Sequence, residues 1–157
     1  MVAGMAACLA KVAGPQARLL GFKDGTKGLF RNEVIEIGEA EAAWYLNAGG
    51  MQMLGRSADV VRTEAQLAQT EESCRALGLD GLVLVGGPVS ASDTAALAER
   101  FAEREVPTAI VAVPATIDGD LNPQHVEQSI GFDTASKVYG SLVGNLATDA
   151  ASARKYW

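Results

Sequence analysis

The sequence is poor in the residues that most often announce chemistry. It has one histidine, His125, and two cysteines, Cys8 and Cys74, and none is spaced from another as metal ligands are. Two thiols do not make a disulfide framework, so both are read as reduced core or near-core residues, in keeping with a cytoplasmic setting. His125 sits in the polar stretch "NPQHVE" and is read as a surface residue. Basic charge is scarce too: 13 Lys and Arg against 19 Asp and Glu leave a net charge of −6. No global positive field would draw nucleic acid or an anionic membrane, so an anionic ligand must be held by local donors. No stretch approaches the ~20 apolar residues that span a bilayer. The opening "MVAGMAACLAKVA" lacks the basic start of a signal peptide and is interrupted by Lys11, so it reads as a buried helix.

What is present is an ordinary core. An apolar content of 48% and a charged content of 20% fit a globular chain of 157 residues, long enough for one core of ordinary domain size. There are no internal repeats or linkers, so residues 1–157 are read as one domain. The start carries no capping residue and the end, "SARKYW", no stop signal, so the chain is expected to be a fragment. Residues 17–22 read as a strand, "KDGTKGLF" as a glycine-punctuated loop, and 34–37 as a small exposed strand. Residues 39–48 look helical, ending at Gly49-Gly50. Thr63 with Gln66 makes a capping box, and Leu67, Cys74 and Leu77 keep helical spacing until Gly78. Residues 82–85 and 108–113 are apolar runs too short for helices and read as strands. Between them, Ser90 with Asp93 signals a helix start, and a last helix is expected from Asp133 or Thr134 with Val138, Leu142 and Leu146 on one stripe. Gly140 and Gly144 are read as permitting close helix packing.

Strands apolar on both faces and alternating with helices give an α/β class, a three-layer, doubly wound, mostly parallel sheet. Ligands sit beyond the carboxyl ends of such strands. Two loops at that edge are "GGPVSASD" and "PATIDGD". The first offers Gly86-Gly87 for close backbone approach and a helix start with unpaired N–H groups, or is simply a turn. The second clusters Thr116, Asp118 and Asp120 around Gly119. Asp-Gly is a common turn dipeptide whose carboxylate can bond its own backbone. A carboxylate in that place can equally take a proton from a substrate hydroxyl. Arg56, in "LGRSADVVRT", can clamp a phosphate or stand solvated.

Taken together, "LLGFKDGTKGLF", "GGMQMLGRSADVVRT", "LGLDGLVLVGG", "VPATIDGDL", "GFDTASKVYGSLVGN" and "TDAASARKYW" resemble the phosphofructokinase family, in particular its plant-type pyrophosphate-dependent members. The likeness covers almost the whole chain, and the Thr-Ile-Asp-Gly-Asp and Gly-Phe-Asp-Thr blocks are specific to the family. It implies an incomplete phosphofructokinase N-terminal domain from a cytoplasmic, allosteric enzyme of glycolysis. The reaction is transfer of phosphate from pyrophosphate, or ATP, to the 1-hydroxyl of fructose 6-phosphate, with Mg2+ as the family's cofactor. By resemblance Asp118 is the base, Thr116, Ile117 and Asp120 support substrate and transition state, and Gly86, Gly87 and Arg56 face the phosphoryl donor. Lys155 and Tyr156 match a segment that reaches a sugar-phosphate site shared with a partner subunit, which implies a homo- or hetero-oligomer.

The departures matter equally. Catalytic members continue Gly-Gly with aspartates, the first helping to hold magnesium; here Pro88 and Val89 stand there, and neither can ligate a hard cation. The family's lysine before Thr-Ile-Asp is Ala115, and losing one such donor typically costs about 3 kcal/mol of transition-state stabilisation. The family's first strand with its donor loop, and its second sugar-phosphate half, are expected before Met1 and after Trp157. The chain therefore reads as part of a phosphotransferase that is inactive by itself, or as a non-catalytic regulatory subunit that pairs with a catalytic one. An unrelated nucleotide-binding α/β domain would carry a glycine-rich fingerprint after a first strand, and none is present.

Overall fold

A computed structural model describes residues 1–46, 48, 50–121 and 124–154. The chain divides into two compact units, residues 1–80 with 100–108, and residues 81–99 with 109 onward.

In the first unit, helix α1 (Val2–Val12) packs on α3 (Glu39–Trp44), and strands β1 (Leu20–Phe22) and β2 (Val34–Glu36) pair antiparallel with Gly21 opposite Ile35. Ala6, Ile37 and Ala42 form the centre of that packing, with Leu19, Met53 and Leu54 against it. Only Ala6 of α1 is fully buried and Cys8 is exposed, so the expected buried helix is instead amphipathic and covers the core with one side. Cys74 lies in the core as expected.

The stretch read as a loop is partly helical. Residues Thr26–Arg31 form α2, entered through Gly25 at φ +60° and left through Asn32 at φ +57°. Its glycine at 28 is required by close approach: a Cβ there would strike the Lys23 backbone. The turn is fixed from outside by Ser73, whose hydroxyl donates to the Leu29 carbonyl at 2.7 Å. Helix α3 ends at Trp44, before the expected stop, and Gly49 lies outside the described residues. A short α4 (Gly50–Leu54) precedes the Arg56 segment.

Helix α5 (Glu64–Leu77) follows the capping box: the Gln66 N–H donates to Thr63 Oγ1, and the Thr63 N–H donates to Gln66 Oε1. Gly78 closes it in the left-handed conformation.

In the second unit, β3 (Gly81–Gly86) and β4 (Ala109–Pro114) run parallel, in register from Gly81 opposite Ala109 to Gly86 opposite Pro114. The helix between them, α6, covers Pro88–Glu103 and begins two residues before the expected Ser90 start. Proline suits a first helical position, where its missing N–H would go unused. Ser90 and Asp93 lie inside the helix, with the Thr94 hydroxyl donating to the Ser90 carbonyl. Leu82 and Leu97 are buried, whereas Val83, Val85 and Val111 remain 40–48% exposed, so one face of this pair is uncovered. The last helix, α7 (Phe132–Ala153), carries its apolar stripe outward and has no buried residue. Among the described residues, nothing stands within 4 Å of where a Cβ at Gly140 or Gly144 would be, so neither mediates the close packing expected of it there. Among the described residues, no helix is long and apolar enough to cross a membrane.

Candidate functional site

Parallel pairing brings the carboxyl ends of β3 and β4 to one edge, and the two sequence-predicted loops leave from there. The Ala115 N–H donates to the Gly86 carbonyl at 2.9 Å, extending the ladder one step past the strand. Gly86 is required by packing: the Ser90 side chain folds back so closely that its Cβ lies 2.7 Å from where a Cβ of Gly86 would sit. A Cβ on Gly87 would make ordinary contact with Thr116, at 3.8 Å from its Cβ. Gly86, Gly87 and Thr116 are thus neighbours, as the sheet topology requires.

The acidic loop is built around Thr116, which is buried. Its backbone N–H donates to Ser129 Oγ, and the Ser129 hydroxyl donates to the Thr116 carbonyl, both at 2.8 Å. The Ile130 N–H donates to the Pro114 carbonyl beside this pair. Thr116 Oγ1 accepts the Asp118 N–H at 3.1 Å, and its proton is directed at Asp120 Oδ1, 3.3 Å away. Gly119 turns the chain at φ +65° against the Phe132 ring, whose Cε2 lies 2.6 Å from where a Cβ would be. Only glycine meets both demands.

The two carboxylates are therefore unequal. Asp120 is tied to the loop through Thr116. Asp118 lends the loop only its backbone N–H, and its carboxylate is exposed, with no hydrogen bond to it among the described residues. A free carboxylate at a strand's carboxyl end can accept a proton from a hydroxyl brought to it. Ile117 is exposed on the same turn, close to Gly131.

Arg56 belongs to the first unit. Gly55, at φ +74°, lies against Asp24, and Thr26 Oγ1 donates to the Asp59 carbonyl, fixing the segment on either side of Arg56. Its side chain is exposed and makes no ion pair among the described residues. His125 is exposed, as expected. Lys155 and Tyr156 lie outside the described residues. Hollows of about 550 and 320 Å³ occur in the first unit, and no sequence-predicted site residue lines either.

No group of three or more His, Cys, Asp or Glu residues among those described is arranged to hold a metal ion. Pro88 and Val89 open α6 at the edge of the sheet without an oxygen side-chain donor. At the family's usual ligand position, Pro88 and Val89, the residues present do not fit a magnesium ion.

Sequence reasoning missed Ser129. A lone serine in a polar stretch carries no local pattern, and its role exists only through a contact 13 residues back.

Comparison with known proteins places the chain. It is 48% identical over 147 residues to the subunit alpha of pyrophosphate–fructose 6-phosphate 1-phosphotransferase from Solanum tuberosum, covering 94% of this chain and 24% of that one. The Entamoeba histolytica protein named for the same activity is 41% identical over 157 residues, all of this chain and 29% of its own length. The subunit beta 1 of Arabidopsis thaliana is 39% identical over 137 residues, 87% of this chain and 24% of that one. The chain thus spans about a quarter of the length of the curated relatives it matches. The phosphofructokinase family profile matches residues 1–157 throughout, and the chain belongs to the phosphofructokinase family.

Proposed function

We propose that this chain supplies the sugar-phosphate loop of a pyrophosphate-dependent fructose 6-phosphate 1-phosphotransferase, with Asp118 as the base. The observation that carries this reading is the contrast within the loop: Asp120 is engaged by Thr116, while the Asp118 carboxylate is exposed and unbonded among the described residues. Asp118 takes the proton of the 1-hydroxyl as that oxygen attacks the terminal phosphoryl group. The new O–P bond forms as the bond to the leaving phosphate breaks in line, and catalysis is mainly positioning and charge stabilisation. Thr116 and Ile117 border the sugar. Gly86, Gly87 and Arg56 serve the phosphoryl donor, pyrophosphate by likeness to the relatives' names and ATP as the alternative. Lys155 and Tyr156 are assigned to the sugar phosphate shared with a partner subunit. Magnesium is the family's expected cofactor, yet Pro88 and Val89 offer it no ligand.

Pro88 and Ala115 favour a second reading, a regulatory subunit that turns nothing over and acts on a catalytic partner in the cytoplasm. The relatives include subunits alpha and beta. A chimera separates the two. Residues 1–157 replace the aligned stretch of the Entamoeba histolytica enzyme, with and without Pro88→Asp and Ala115→Lys. The isolated chain is expected to phosphorylate no fructose 6-phosphate with either donor; turnover by the unrestored chimera favours the catalytic reading, and its silence the regulatory one. The restored chimera is expected to work with pyrophosphate. Turnover by the isolated chain overturns the non-catalytic account; a restored chimera that stays silent removes the catalytic one. A regulatory role requires the chain to shift the activity of a co-expressed catalytic subunit, and it fails if no complex forms at micromolar concentration.

A further inference from the structure

The acidic loop depends on a residue outside the Thr-Ile-Asp-Gly-Asp block. Thr116 is buried, so its N–H and carbonyl cannot fall back on bulk water. Both are met by one hydroxyl, Ser129 Oγ, accepting from the N–H and donating to the carbonyl at 2.8 Å each. The Thr116 side chain then organises the rest, accepting the Asp118 N–H and donating to Asp120. A continuous path runs from Ser129 through the Thr116 backbone to its hydroxyl and on to the peptide that carries Asp118. A hydroxyl serves both ends of this exchange because it is donor and acceptor at once; a methyl of the same size is neither.

We propose that Ser129 is the positioning residue of this loop: its hydroxyl fixes Thr116, and through Thr116 it fixes the Asp118 peptide and occupies Asp120, leaving Asp118 as the free carboxylate. The inference rests on the reading of Asp118 as the base, but its structural half stands without turnover. Misplacing a catalytic group by about 1 Å costs on the order of 10²-fold in rate, so the effect falls on kcat rather than on sugar binding.

Two arms test this. The first is amide hydrogen exchange on the chain itself, as wild type, Ser129→Thr and Ser129→Val, the last two alike in shape and differing in the hydroxyl. The Thr116 and Asp118 amides are expected to exchange at least ~10-fold more slowly than the Ile117 amide in wild type and in Ser129→Thr. In Ser129→Val both lose that protection, while the ladder amides of Leu84 and Val113 keep theirs, reporting an intact fold. Thr116 and Asp118 amides exchanging as fast as Ile117 in wild type overturn the proposal even if the valine variant does not fold. Protection that survives in a folded Ser129→Val overturns it as well. The second arm is turnover in the restored chimera: Ser129→Val is expected to lower kcat more than ~10-fold with KM within ~3-fold, and Ser129→Thr to rescue it. Equal kcat for valine and threonine variants, in a chimera that Asp118→Asn inactivates, removes the inference and leaves the base. Turnover indifferent to Asp118→Asn removes the base, and the exchange arm then decides the role of Ser129 alone.

Discussion

Asp118 and Asp120 have the same chemistry and stand two residues apart, yet Thr116 separates their duties by binding one carboxylate and only the backbone of the other. Gly119 between them is under two constraints, positive φ and the Phe132 ring. Gly119→Ala is expected to destabilise the chain by about 1–3 kcal/mol in urea unfolding. The cysteines make a second contrast. Burial pushes the Cys74 thiol up to about 11 from the ordinary 9.0, whereas Cys8 is exposed. A thiol reagent at pH 8 should therefore titrate Cys8 alone in the native chain and both after denaturation. The raised thiol also has a stability consequence. Above pH 9 the unfolded chain releases the Cys74 proton while the folded chain retains it, so stability falls as pH rises towards 11, by about 3 kcal/mol in all. A variant with Cys74→Ser should lack that alkaline loss when unfolding is followed against pH.

Elements whose signals are local were legible in the sequence. The α5 start was, because Thr63 and Gln66 satisfy each other within one turn. Thr63→Ala is expected to lower stability by about 1 kcal/mol. Strands β3 and β4 were legible as short apolar runs, and with them the edge that carries the acidic loop. Helix α2 was not, since its glycines read as punctuation and its turn is held by Ser73 from α5. The α6 start was misplaced because Ser90 and Asp93 imitate a cap that Pro88 makes unnecessary. The anchoring of the α6 end was equally hidden. Arg100, buried, donates to Glu64 at 2.7 Å and to Glu71 at 3.4 Å. The hydrogen bond from Arg100 holds the Glu64 carboxyl below its ordinary value. A depressed folded-state value contributes stability above the unfolded pKa, lost as pH falls through the folded one. Thermal unfolding below about pH 4.3 should then show Glu64→Gln losing less stability than wild type on further acidification. Glu71 is the less exposed partner, so at neutral pH Glu71→Gln should lower the melting temperature more than Glu64→Gln.

At the scale of the whole molecule, apolar surface outruns what the described residues cover. Val138, Tyr139, Leu142, Val143 and Leu146 run along α7 at 46–64% exposure, and β3–β4 leaves three valines open. Patches of that kind bind apolar probes. The isolated chain is expected to enhance the fluorescence of a hydrophobic dye, and Leu142→Glu with Leu146→Glu to reduce it; equal signals would show that α7 is not the patch. The family is carried by the whole chain, while the proposed chemistry rests on one loop at a strand edge, anchored by a serine that no motif announced. The most direct measurement of that claim compares pyrophosphate-dependent kcat for Asp118→Asn and Asp120→Asn in the restored chimera. The account predicts a fall of at least ~10²-fold for Asp118→Asn and a smaller one for Asp120→Asn, whose partner is the loop itself. An Asp118→Asn enzyme that keeps its rate, or falls no further than Asp120→Asn, contradicts it.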